Sequence, residues 1–286
     1  MDTLQSLVLP NLEVNACEDM YVRLNDRAWS ELGEPRLHFL ENGILHTDTF
    51  YGSFSATTWR RHCQIETLLL ALHGQGRFVV SFALHRLGQA TVWLGERTVT
   101  LSAAKPALMT VPGWEGVKEG LVYFRLRALQ PGVIEGARYL TADAALNDVR
   151  LGLVITHFNR QSQVLPAIER IRRSVLTRPD LRDRVTLTVV DNSRNLPLSS
   201  QAGVKLIPNR NLGGTGGFVR GLLDLVDGGE HTHALFMDDD ASCEPESIAR
   251  TCALLRYARN SHLAVAGALL NEAHPSQLIE KGARFD

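Results

Sequence analysis

This chain lacks paired cysteines, an excess of charge of either sign and any long apolar run, and each absence narrows what it can be. The four cysteines, Cys17, Cys63, Cys243 and Cys252, are scattered, and none forms a Cys-x-x-Cys pair. That excludes a disulfide frame and a zinc site and fits the reduced thiols of a cytosolic protein. Lys and Arg number 30 against 31 Asp and Glu, a formal net charge of -1. With no basic excess to neutralise a phosphate backbone, a general nucleic-acid binder is excluded. No apolar stretch approaches the ~20 residues of a transmembrane helix, and residues 1–5 show neither the basic nor the apolar region of a signal peptide. The expectation is a soluble cytoplasmic protein, with peripheral attachment at the inner face of the plasma membrane left open. Hydrophobic residues make up 44% and charged ones 21% of the 286, an ordinary globular balance that can support two cored domains.

The two halves follow different patterns. Between residues 36 and 140, β-type runs at 68–72, 77–84, 91–94, 97–101 and 121–126 are separated by turn residues, with Gly74-Gln75-Gly76 ending the first. No useful helical periodicity interrupts them, which predicts a β-sandwich over 1–146. Within it Phe50-Tyr51-Gly52-Ser53-Phe54 and Trp59-Arg60-Arg61 gather aromatics beside arginines. Those rings either stack on carbohydrate or fill the sandwich core. From 147 to 286 the pattern changes. Apolar strands at 151–156, 185–190, 204–207, 234–237 and 264–270 alternate with helices expected from 162, over 217–226 and over 245–259. In the first helix Pro166 is placed in the opening turn, with Leu165, Ile168, Ile171 and Val175 on one buried side. Strand–helix alternation predicts a doubly wound α/β domain built on a parallel sheet.

Chemistry concentrates at the strand ends. The apolar run 234–237, read as a buried strand, stops abruptly at Asp238-Asp239-Asp240. Three adjacent carboxylates repel one another, and a divalent cation is the simplest way to hold them together. On an extended backbone Asp238 and Asp240 point to one side and Asp239 to the other. That arrangement suits two ligands on one metal, with the middle acid free for a substrate hydroxyl; a solvated acidic turn before a helix is the plainer alternative. Two other strands end in Thr156-His157-Phe158-Asn159-Arg160 and Asp191-Asn192-Ser193, and in a parallel sheet such ends line one edge. His157 reads as a packing or supporting group, while His231 and His233, a strand length from the acids, are expected to face solvent. Between the ends lies Asn209-Arg210-Asn211-Leu212-Gly213-Gly214-Thr215-Gly216-Gly217-Phe218, a glycine-rich loop feeding a helix. Backbone there can approach a ligand closely and offer N–H groups to an anion. It is not the dinucleotide fingerprint, because Val219 stands where a third glycine is needed, and no Gly-Lys-Ser/Thr follows to make a Walker loop. An arginine and an aspartate at the first two strand ends can hold a phosphate and a base. A metal on Asp238 and Asp240 can bridge two phosphates and neutralise a departing diphosphate. Together these suit transfer from a nucleotide-activated donor.

In order and spacing, Thr156 with Asn159-Arg160, Asp191-Asn192-Ser193, the run from Asn211 to Phe218 and Asp238-Asp239-Asp240 resemble a family-two-type glycosyltransferase of GT-A fold. The first half, with Phe50-Tyr51-Gly52-Ser53-Phe54 before Trp59-Arg60-Arg61, resembles the N-terminal sandwich of bacterial galactofuranosyltransferases that polymerise galactan. The resemblance implies a metal-dependent, inverting transfer of galactofuranose from UDP-galactofuranose to a growing cell-surface glycan such as galactan, free or lipid-linked. It implies that Arg160 and Asn192 contact the uridine diphosphate and that Asp191 lies beside the uracil. Thr156, and Asn211 with Gly213 and Gly214, would line the same donor site, with Asp239 near the donor sugar. Asp238 and Asp240 would ligate manganese or magnesium. The family's catalytic carboxylate and its histidine metal ligand lie well downstream of the acidic triplet, and this chain reaches Asp286 before either. The resemblance therefore implies a donor and metal half-site, with the catalytic base outside residues 1–286; homo-oligomerisation is left open.

Two other readings stay open. A haloacid-dehalogenase-like phosphatase also places Asp-x-Asp after a strand, as in Asp238-Asp239-Asp240-Ala241-Ser242, but it uses the first strand of its fold. It would also leave Asp191-Asn192-Ser193 and the Asn211 loop unexplained. A non-catalytic carbohydrate- or nucleotide-binding protein would use the sandwich to hold a polymer and the second half as scaffold.

Overall fold

Two compact units make up the chain, Met1–Leu146 together with Ala253–Asp286, and Asn147–Cys252. The computed structural model describes residues 1–31, 34–197, 200 and 203–282; Asp286 lies outside them. The expected second domain runs from 147 to 286, whereas here the segment from Ala253 onward groups with the first unit. Tyr257 is the reason. Its ring is fully buried in the first unit's core, and its hydroxyl lies 2.9 Å from Asp2 Oδ2 and 3.0 Å from the Asp143 carbonyl. Arg256 adds a 2.6 Å ion pair to the same Asp2 carboxylate.

The first unit is an antiparallel sheet of eleven strands wrapped round one apolar core. Its spine is Leu69–His85, a 17-residue strand. The expected turn at Gly74-Gln75-Gly76 is a kink inside this strand, not its end. Gly74 and Gly76 adopt φ +151° and +123°, and a Cβ on Gly74 would sit 2.1 Å from the Val133 carbonyl oxygen. Only glycine lets the strand bend there without leaving its ladder. Before the kink it pairs with Gly132–Thr141 and Ala107–Thr110, and after it with Leu121–Ala128 and Val92–Leu101. One strand thus serves both halves of the sheet. A short helix, Ala56–His62, interrupts the β pattern. It buries Trp59 against Phe54, ring centroids 5.5 Å apart and nearly parallel, and Arg60 caps Trp114 at 4.1 Å. Phe54, Trp59 and Trp114 fill the core, whereas Phe50 of the same aromatic run is 52% exposed.

In the second unit Leu151–His157, Val185–Asp191, Val204–Pro208 and His233–Asp238 form a parallel sheet in the order third, second, first, fourth. Every residue of the first strand is buried, as its unbroken apolar run requires. The helix Gly213–Gly228 lies close on it: a Cβ on Gly221 would meet Val154 Cγ1 at 2.3 Å, and one on Gly152 would meet Leu225 Cδ1 at 2.5 Å. Chain order reverses between the first and fourth strands, and such a switch point opens a crevice at the carboxyl ends.

Several local expectations change. The fourth strand lies at the edge of the sheet and is only partly covered, with Phe236 48% exposed. The helix expected at 217–226 begins at Gly213, so the glycines are its own first turn. Pro166 sits in the second turn of Gln161–Ile171, and Val164 takes the buried place expected for Leu165. The run 264–270 does not join the parallel sheet; only Leu269–Leu270 is strand, paired antiparallel with Leu278–Glu280. The four cysteines are free, and no helix among the described residues is long and apolar enough to cross a membrane.

Candidate functional site

The register decides which strand ends meet. Thr156 pairs with Asp238 across the first and fourth strands, and His157 with Asp191 across the first and second. The crevice is therefore walled by 156–160 on one strand end, the acidic triplet on its neighbour, and 191–195 on the other side. The strand ends at Asp238 and the next two acids form a turn, which differs from the extended backbone expected through the triplet; Asp238 and Asp240 are exposed, while Asp239 is 5% exposed.

Asp239 is fully engaged within the protein. Its Oδ2 accepts from His157 Nδ1 at 3.1 Å and from the Phe158 N–H at 3.0 Å, and its Oδ1 accepts from Arg160 Nη1 at 3.0 Å. This corrects the expectation that the middle acid is free for a substrate hydroxyl or the donor sugar. It instead ties the first strand's end to the fourth. His157 is the buried link, with Nε2 3.1 Å from Asn195 Oδ1, and Asn195 in turn donates to Asn159 Oδ1 at 3.1 Å. Arg160 also reaches Asp240 Oδ2 at 2.9 Å. Its guanidinium is held above its ordinary pKa by the Asp239 hydrogen bond and then by the Asp240 and Asp239 charges. The residue expected to touch the nucleotide is here the counter-ion of two acids.

Asp191 is likewise consumed locally. Its Oδ1 accepts from the Ser193 N–H and hydroxyl at 3.0 and 3.2 Å, and its Oδ2 from the Leu196 N–H at 2.9 Å. The carboxylate shapes the 191–196 loop, which departs from the expectation of a group facing a base. Asn192 is 6% exposed and accepts from Asn209 Nδ2 at 2.9 Å. Asn211 Oδ1 accepts from the Gly213 N–H at 2.9 Å, shaping the entry to the helix. Gly213 and Gly214 are exposed, and a Cβ on either would meet nothing within 4 Å. Gly217 is the opposite case: a Cβ there would lie 2.3 Å from Thr156 Cγ2, 2.8 Å from Thr156 Oγ1 and 3.1 Å from Asn192 Nδ2. The glycine brings the helix start, Thr156 and Asn192 together. Thr156 is 8% exposed, yet its buried Oγ1 has no hydrogen-bond partner, an unsatisfied group of the kind that ligand sites retain.

Asp238 and Asp240 offer hard oxygen ligands of the type magnesium and manganese take. Among the described residues the one convergent set of three His, Cys, Asp or Glu side chains is Glu31, Glu34 and His38, elsewhere in the chain. A cation at the triplet would compete with Arg160 for Asp240. Downstream, Glu246 is 4% exposed and paired with Arg178 at 2.8 Å. Burial works against the Arg178 charge, but the Asp180 and Glu246 carboxylates hold it protonated above the ordinary range. His231 is half-buried with Nε2 2.7 Å from Thr186 Oγ1, so it does not simply face solvent. Asn195, Asn209 and Gly217 were not singled out from the sequence. Asn195 stands just beyond a strand end already marked as polar, and Asn209 opens the glycine-rich loop; those were the available signals.

Galactofuranosyltransferase GlfT2 of Mycolicibacterium smegmatis is 27% identical over 255 residues, covering 83% of this chain and 38% of that protein. GlfT2 of Mycobacterium tuberculosis is 25% identical over 254 residues, covering 83% and 39%. The sequence relationship is to glycosyltransferases. This chain spans less than two fifths of the length of these curated relatives. No family model matches it. Among solved structures, an acetyl xylan esterase of Butyrivibrio proteoclasticus aligns with TM-score 0.28 and 12% identity over 54% of this chain and 37% of that one. A family 30 carbohydrate-binding module of Clostridium thermocellum aligns with TM-score 0.28 and 10% identity over 50% and 94%. Overlaps this slight carry no functional information.

Proposed function

We propose that these residues form the donor side of a GT-A glycosyltransferase that moves galactofuranose from UDP-galactofuranose onto a growing surface glycan such as galactan, with inversion. One observation carries the reading beyond the relatives' names: the Thr156–Asp238 register sets an unpartnered buried hydroxyl, a helix N-terminus and two exposed carboxylates round one crevice. Each suits a different part of a nucleoside diphosphate. The Gly214 N–H in the first turn of the helix favours an anion, the Gly213 N–H being held by Asn211 Oδ1. Thr156 and Asn192 offer polar atoms to the nucleoside. Asp238 and Asp240 would hold manganese or magnesium, which when bound neutralises the leaving diphosphate. Arg160, released from Asp240 by that cation, would turn to a phosphate oxygen in a charge-assisted contact. Asp239 and His157 position this arginine and the Phe158 backbone without touching substrate. The sandwich description of the first unit, a cytoplasmic location at the inner membrane face and a glycan acceptor belong to the same proposal. A phosphatase of the haloacid-dehalogenase type is disfavoured, because the acids end the fourth strand in chain order, at the sheet's edge.

Calorimetry with uridine diphosphate tests the reading. Binding is expected in manganese and lost in chelator, and Asp240→Asn should weaken it at least tenfold. Equal affinity in manganese and chelator would remove the metal from the proposal, and no binding in either would overturn it.

A further inference from the structure

A second polar constellation lies in the first unit, on the sheet surface away from its core. The strands Val92–Leu101, Leu69–His85, Leu121–Ala128, Ile44–His46 and Arg23–Leu24 run side by side there. Their register lays Glu96, Ser81, Arg125, His46 and Arg23 in one row across five strands. The adjoining row is Trp93, Ala83 and Tyr123. Residues that pair directly project to the same side of a sheet, so both rows share one surface. The other side carries Phe82, Val80 and Phe124, which belong to the core.

The row is connected. Ser81 Oγ donates to Glu96 Oε2 at 2.9 Å, and Arg125 Nη2 lies 3.4 Å from Ser81 Oγ. The Arg125 guanidinium sits 4.7 Å from the Trp93 ring centre, and Tyr123 meets Trp93 edge-on at 6.4 Å. Trp93 is 50% exposed although its orientation is fixed by two neighbours. Ala83, flat between the two aromatics, keeps the floor low. Arg125 Nε is buried and has no partner, which is an unfilled donor at the foot of an exposed indole. Burial, opposed by Asp48 and reinforced by Arg125 and Arg23, holds His46 below its ordinary pKa, so its ring is neutral at pH 7.

We propose that this surface binds an uncharged glycan chain. A sugar ring has an apolar C–H face and a rim of hydroxyls, each both donor and acceptor. An oriented indole covers the first, and alternating carboxylate, hydroxyl, guanidinium and imidazole groups serve the second. The charges favour a neutral occupant over a polyanion. Glu96 and Asp48 balance Arg125 and Arg23, of which Asp48 and Arg23 meet in a 3.0 Å pair, and Arg127 and Arg77 lie in the next rows along the same side. A phosphate-rich ligand or an anionic bilayer would have to approach the exposed Glu96 carboxylate. An exposed tryptophan held in place is also the residue type that most often anchors a binding surface.

The inference borrows from the proposed function only its choice of probe. Retardation of the full 286-residue chain in native gels containing soluble arabinogalactan, run in chelator and without nucleotide, reads glycan binding independently of the donor site. Wild-type protein is expected to be retarded, and Trp93→Ala to lose at least tenfold in affinity with an unchanged melting temperature. Glu96→Gln, which removes charge without removing volume, is expected to lose at least threefold and decides the matter should Trp93→Ala not fold. Wild-type mobility that ignores the polysaccharide overturns the proposal. So does full retention of retardation in the folded variants, or light scattering that shows a dimer dissolved by Trp93→Ala. Calorimetry with uridine diphosphate on the same sample judges the donor site separately, so either reading can fail alone.

Discussion

Gly217→Ala sets two opposing effects against each other at the centre of the candidate site. Alanine in a helix is favoured over glycine by about 1 kcal/mol. Against it, the new Cβ would fall 2.3 Å from Thr156 Cγ2 and 2.8 Å from Thr156 Oγ1. Thr156 is β-branched and 8% exposed on a strand buried at every position, so it has no spare rotamer into which to retreat. Overpacking of this kind costs about 1–3 kcal/mol, so the clash should leave a net destabilisation of up to about 2 kcal/mol. Gly214→Ala is the matched control. It lies in the same first turn with φ outside the left-handed region and open space round its Cβ, so the propensity gain of up to about 1 kcal/mol should stand alone. Trp29, Trp59, Trp93 and Trp114 all lie in the first unit, so tryptophan fluorescence does not report on this region. Hydrogen exchange of the Leu151–His157 amides does. Gly217→Ala should lower their protection several-fold and weaken uridine diphosphate binding, while Gly214→Ala should leave protection equal or higher. Protection in Gly217→Ala equal to or above wild type would refute the close-approach argument.

Three further outcomes test other parts of the molecule. Arg160→Ala should weaken uridine diphosphate binding in manganese at least tenfold; unchanged calorimetric affinity would leave the arginine only its role as counter-ion to Asp239 and Asp240. Burial raises the Asp143 pKa, but hydrogen bonds from the Thr67 N–H, the Thr141 hydroxyl, the Glu66 N–H and the Thr67 hydroxyl outweigh it and hold the carboxyl below its usual range. A depressed carboxylate contributes stability that is complete above its unfolded pKa of about 3.9 and is lost as pH falls through the folded value. The urea midpoint by tryptophan fluorescence should therefore drop between pH 5 and pH 3 in wild type and drop less in Asp143→Asn; equal slopes would contradict this. Tyr257→Phe removes a buried hydroxyl that bridges Asp2 and the Asp143 carbonyl, and should cost the first unit about 1 kcal/mol. A fluorescence midpoint unchanged by that substitution would count against the grouping of the 253–257 segment with the first unit.

Much of the candidate site was legible in the sequence because its signals are local. Apolar runs that stop at polar residues mark strand ends, as at His157, Asp191 and Asp238. The glycine cluster before Phe218 marked a close backbone approach, although which glycine needs its missing side chain could not be read from the run. Gly214 faces open space and Gly217 faces Thr156, a difference created by a partner 61 positions earlier in the chain.

What the sequence by itself determined is the alternation of apolar runs with polar strand ends and the change of pattern near residue 147. These follow from backbone geometry over a few residues. Tertiary structure alone decided how those pieces are used. Asp239 is bound by His157 and Arg160, Asp191 is spent on its own loop, and the strand carrying the triplet lies at an exposed edge. Gly74 and Gly76 bend one strand instead of ending it, and Tyr257 leaves its neighbours in the sequence for the core of the first unit. Each of these depends on which distant segment supplies the hydrogen-bond partner or the apolar surface, and no local period encodes that choice.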